Sequence, residues 1–73
     1  MHVMKILSRN GDDRLHWNLD DPEAMKFAEE TFNRLMASGH LGAVMDTPTE
    51  GRAIKQFDPN AKEIVVTPAV VAG

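Results

Sequence analysis

The stretch "LHWNL" alternates, with Leu15, Trp17 and Leu19 on one side and His16 and Asn18 on the other. A period of two marks a half-buried strand. Upstream, "MHVMKILS" is apolar and rich in branched residues, and the intervening "RNGDDR" is a turn cluster. Asn10-Gly11 tolerates positive φ at both turn positions, so the two segments are predicted to form a hairpin. Two registers stay open. With Asn10-Gly11 as the turn, Met4 faces Trp17 and Ile6 faces Leu15; with a longer loop, Met4 faces Leu19 and Ile6 faces Trp17. Both put Met4, Ile6, Leu15, Trp17 and Leu19 toward a core. A slip by one residue would bury Lys5 instead, which a one-sided sheet penalises heavily. Val3, Lys5 and Leu7 then share the opposite face with Arg14, His16 and Asn18.

After Leu19 the period changes. In "DDPEAMKFAEETFNRLMASGH", Met25, Ala28, Phe32, Leu35 and Met36 recur at helical spacing, and Lys26, Glu30, Asn33 and Arg34 fall opposite. Asp20 or Asp21 can cap the start, Pro22 suits the first helical position, and Glu23 favours the positive end of the helix dipole. Glu30 and Arg34 are spaced for an ion pair. Gly39 is the expected left-handed residue closing the helix. "LGAVMD" reads as a third strand. "TPTEGRAIKQFDPNA" is a connection broken by prolines and glycine, from which Ile54 and Phe57 are expected to dip into the core as a short strand or turn. "KEIVVT" is a fourth strand stopped at Pro68, which cannot donate to a ladder. The prediction is an α+β fold of ββαββ order, with one helix packed across a four-stranded mixed sheet. Residues 1–67 form its single domain and 68–73 a C-terminal tail.

Length and charge narrow the reading. Seventy-three residues suffice for one small core. With no cysteine there is no disulfide framework and no thiolate metal site, which points to the cytoplasm. No run has the length of a membrane span. A net charge of −3 argues against wrapping nucleic acid through its phosphates.

The candidate chemistry is thin. His2, His16 and His40 have no carboxylate at a spacing that preorganises a metal site. His40 is placed to close the helix end, and His16 to lie on the open sheet face. Asp20, Asp21 and Glu23 are accounted for by capping. Ser8 and Ser38 lack a neighbouring base, and Gly39 and Gly42 lack the run and lysine of a phosphate loop. The chain reads as non-catalytic, with no cofactor. Two features remain. Val3, Lys5, Leu7, Arg14 and His16 make a mixed apolar and basic patch that suits a protein partner. Its plainer account is a scatter of lone surface apolar residues, which are common. The other feature is the uncharged ending "TPAVVAG".

In order of elements the chain resembles the ubiquitin-like β-grasp proteins over nearly its whole length. The stretches "LHWNLDDPE", "FNRLMASGHLGAVMD" and "IKQFDPNAKEIVVTP" also resemble small bacterial and phage-borne proteins. The first resemblance implies that Gly73, with Ala72 beside it, is a conjugation or carrier terminus adenylated by an activating enzyme. Alanine stands where that family's usual ending has a glycine, and Val70-Val71 replace its basic approach. The family's apolar sheet patch corresponds to Val3 and Leu7. A rival reading is a phage-encoded accessory protein or inhibitor that grips a host protein through the open sheet face. A third possibility is a homodimer joined through the β-prone last strand, if that strand is an edge.

Overall fold

The structure is a computed structural model and describes residues 1–8 and 11–69. It is an α+β fold with one helix and a five-stranded mixed sheet. The strands are β1 (His2–Ser8), β2 (Gly11–Trp17), β3 (Leu41–Met45), β4 (Gly51–Ile54) and β5 (Glu63–Thr67), and helix α1 spans Pro22–Ala37. Across the sheet the order is β2-β1-β5-β3-β4. β1 and β5 run parallel, and every other neighbouring pair is antiparallel. The expected four strands are thus five. The added one is β4, formed by the segment ending at Ile54, whose "GRAI" carries no alternation by which to recognise a strand.

The hairpin register differs from both expected ones. Met4 pairs with Leu15, Ile6 with Asp13 and Ser8 with Gly11, so the connection falls on residues 9 and 10, outside the described residues. The offset is two residues, which preserves the pleat, and each side chain keeps its expected face. Gly11 has φ +122°, a conformation that only glycine adopts without strain. Leu19 does not reach the core. It is 52% exposed, because the chain leaves the strand at Trp17 and turns, the Asp21 amide donating to the Asn18 carbonyl at 3.0 Å.

Asp21 is the cap of the helix, its Oδ1 accepting from the Ala24 amide at 3.1 Å, and Pro22 opens the first turn. At the other end Gly39 has φ +90°, and the His40 amide donates to the Leu35 carbonyl at 3.1 Å. That arrangement satisfies carbonyls which would otherwise lack partners. His40 therefore closes the helix through its backbone, and its ring Nδ1 is buried without a hydrogen-bond partner among the described residues. Glu30 lies 4.0 Å from Lys26, the ion pair recorded on this face in place of the expected one with Arg34.

The core lies between helix and sheet: Met4, Trp17, Ala28, Phe32, Val44, Ala61, Ile64 and Val66 are buried, with Ile6, Leu15, Met25, Leu35, Met36, Ile54 and Phe57 packed against them. Each fully buried large side chain contributes about 1.5–3 kcal/mol, so a chain of this size depends on every one. Two contacts close the far end of this core. The Trp17 indole Nε1–H donates to the Pro59 carbonyl at 3.0 Å, and His2 Nδ1 donates to the Ala61 carbonyl at 2.7 Å. The His2 ring stacks on Trp17 at 5.5 Å, and Phe57 tilts against both Trp17 (5.0 Å) and Phe32 (6.0 Å). The loop before β5 is thereby clasped to the hairpin, and β5 enters the sheet beside β1.

β5 is central. Its ladder groups face β1 on one side and β3 on the other, so the last strand is not an edge and a homodimer through it would have to displace a neighbour. Among the described residues the outer edges belong to β2 and β4. The β2 edge carries Asp12, Asp13 and Arg14, charges of the kind that discourage edge pairing.

Candidate functional site

The helix covers one face of the sheet; nothing among the described residues layers the other. The register sets that second face in rows. His16 and Val3 align with Glu63, Arg14 and Lys5 align with Val65, Val65 aligns with Ala43 and Ala53, and Thr67 aligns with Leu41. Val3, Lys5, Leu7, Arg14 and His16, expected together from the pleat, do share this face.

Their environments are not alike. Val3 and Lys5 are half-buried by neighbouring strands, and Leu7 is 38% exposed. Lys5 Nζ lies 3.4 Å from Glu63 Oε1, and Arg14 Nε donates to Asp12 Oδ2 at 3.1 Å. The β1–β2 half of the face is therefore a paired ionic surface. Such exposed pairs contribute little to stability, about 1 kcal/mol at most.

The apolar part lies on the other half, where the sequence pattern did not point. Where β5, β3 and β4 meet the end of the helix is a hollow of about 350 Å³, lined by Leu41, Ala43, Ala53, Val65 and Thr67 of the open face, by Gly42 and Ile54 of the helix-facing side, and by Met36 and Lys55. Ala43 and Ala53 stand side by side across the β3–β4 ladder, and their small side chains leave the depression. A one-strand pattern cannot show this, because the lining comes from segments far apart in the chain.

A second hollow of about 340 Å³ is lined mainly by charged and polar residues: Lys5, Asp46, Thr47, Lys62 and Glu63, with Met45 and Pro48. Beside it the β3–β4 turn is held by a two-pronged ion pair: Arg52 Nε and Nη2 donate to Asp46 Oδ2 and Oδ1 at 2.8 and 3.1 Å. The hydrogen bonds from Arg52 hold the Asp46 carboxyl below its ordinary range. Because the folded value is the lowered one, this pair stabilises the fold above the ordinary carboxylate value of about 3.9 and stops doing so as pH falls through the lowered value. Asp46→Asn is expected to be less stable than the parent at pH 7, with the gap closing toward pH 2 and narrowing in 1 M salt. Urea midpoints at the two pH values check this; an equal gap at both would show that the pair plays no part.

Both serines considered for catalysis make local hydrogen bonds. Ser8 Oγ donates to the Gly11 carbonyl and Ser38 Oγ to the Arg34 carbonyl, each at 3.1 Å. Among the described residues no three of His, Asp and Glu are grouped to hold a metal ion. No helix among them is long and apolar enough to cross a membrane. Ala72 and Gly73, where the resemblance places a conjugation terminus, lie outside the described residues. No family model, curated protein or solved structure matches the chain.

Proposed function

We propose that this chain is a β-grasp protein that works without a catalytic centre of its own, by holding a protein partner on the open face of its sheet. The order of elements supports the fold reading: a hairpin, a helix laid across the sheet, and a last strand parallel to the first in the middle. The binding reading is carried by one observation. A sheet face with no covering layer among the described residues holds an apolar hollow next to a row of paired charges. Apolar centres rimmed by polar groups are the usual composition of protein-binding surfaces.

Capture from the native host lysate with an amino-terminally tagged chain tests the reading. The parent is compared with Val3→Ala/Leu7→Ala and with a chain lacking Gly73. A partner retained without Gly73 but recovered about ten-fold less by the double variant is the expected result. If the double variant captures as much as the parent, the patch at Val3 and Leu7 is not the contact. An adduct that survives denaturation and vanishes with Gly73 would replace this reading with that of a modifier or carrier joined through Gly73.

A further inference from the structure

From the chemistry of the hollow we infer that the partner segment it receives is an aliphatic side chain flanked by carboxylates, an acidic-aliphatic stretch of protein. This rests on the sheet-face reading above and adds the partner's chemistry. Apart from Thr67 and Lys55 every residue lining it is apolar, so the lining offers van der Waals contact and almost no hydrogen bonding. Lys55 is the one charged residue among those lining it, and it has no ion-pair partner among the described residues. An apolar depression with a single unpaired cation at its rim complements an apolar group carrying a negative charge. At about 350 Å³ the hollow sits at the small end of ligand sites, which suits part of a peptide better than a whole cofactor.

The charge distribution agrees. Between Asp20 and Ala37 there are five acidic residues against two basic ones, an excess of three that accounts for the whole net charge of −3. The helix side is thus the acidic pole. An acidic segment approaching the molecule is repelled there and met at the sheet by Lys55, since Lys5 and Arg14 on the same face are already paired with Glu63 and Asp12. Electrostatic complementarity of this kind sets orientation and partner choice more than affinity.

The test is a titration of the isotope-labelled full chain, followed by amide chemical shifts. The probes are the capped synthetic peptide Asp-Glu-Leu-Ile-Leu-Asp-Glu and its counterpart with lysine at every acidic position. The acidic peptide is expected to shift residues 41–44, 53–55 and 65–67, and to bind at least three-fold more tightly than the lysine counterpart. Lys55→Glu should weaken the acidic peptide about five-fold, near the upper end for one exposed charge pair, and strengthen the lysine one. That exchange of preference would not follow from a merely structural role for Lys55. Equal binding of both peptides at the hollow, unmoved by Lys55→Glu, overturns the acidic requirement and leaves the sheet-face reading standing. Shifts confined to the helix side, or none with either peptide, overturn the inference. The sheet-face reading fails separately, if Val3→Ala/Leu7→Ala and a charge placed in the hollow (Ala43→Glu) both leave capture from the lysate unchanged.

Discussion

Trp17→Ala is expected to leave the chain largely unfolded at 25 °C. Trp17 is 1% exposed and is the largest side chain in the core. Its removal takes away the stack on His2, the contact with Phe57 and the bond to the Pro59 carbonyl together. Truncating a buried tryptophan to alanine costs about 3–5 kcal/mol. At roughly 0.05–0.15 kcal/mol per residue, a chain of 73 residues has about 4–11 kcal/mol in all, and small domains fall toward the lower end. Trp17→Phe separates packing from the hydrogen bond: it keeps an aromatic ring but leaves the Pro59 carbonyl unpaired, at about 1–3 kcal/mol. Far-UV circular dichroism in urea measures both. A Trp17→Ala midpoint equal to the parent's would mean that the clasp on the loop before β5 contributes nothing. The clasp also bears on function, because it fixes where β5 enters the sheet and so where Val65 and Thr67 lie on the open face.

Gly42→Val is expected to cost about 3 kcal/mol, more than most single overpacking changes. A Cβ at Gly42 would stand 2.8 Å from Phe32 Cε2, closer than real contacts allow, and a tight 3.2 Å from Cζ. Met36 Sδ at 3.5 Å could yield, but Phe32 is fully buried and has nowhere to go. The glycine is needed here for close approach of backbone to ring. Phe32→Leu should recover part of the loss, and a double-mutant cycle of urea midpoints should give a coupling of about 1 kcal/mol or more. Strictly additive losses would mean that the Phe32 ring is not what excludes a side chain. The same close approach seats β3 on the helix and so presents Leu41 and Ala43 to the other face.

Much of this fold is written locally. The helix limits were legible because Asp21, Pro22 and Gly39 each supply a backbone requirement within a few residues of where it is used. The two faces of the hairpin were legible as well, since alternation at Met4, Ile6, Leu15 and Trp17 is a property of each strand by itself. What escaped was pairing. A register displaced by two residues keeps every side chain on its face, so nothing in the pattern distinguishes Met4 opposite Leu15 from Met4 opposite Trp17. Leu19 fits the alternation yet is exposed, because the turn that follows belongs to the helix cap rather than to the strand. His2 carries no motif, and its hydrogen bond to Ala61 spans 59 positions of sequence.

The candidate site divides in the same way. That Val3, Lys5, Leu7, Arg14 and His16 share a face follows from the period of two, which any strand imposes on its own residues. That Ala43, Ala53 and Val65 stand in one row, with Leu41 and Thr67 paired in the next, follows from the strand order β2-β1-β5-β3-β4 and its register. By itself the sequence determined which residues are helical, where the helix stops and which side of each early strand is apolar, because these depend on near neighbours. Only the tertiary structure decided that the last strand is central and that small residues from distant segments meet in a hollow. Strand order is chosen by the burial of the whole sheet, and no single segment carries it.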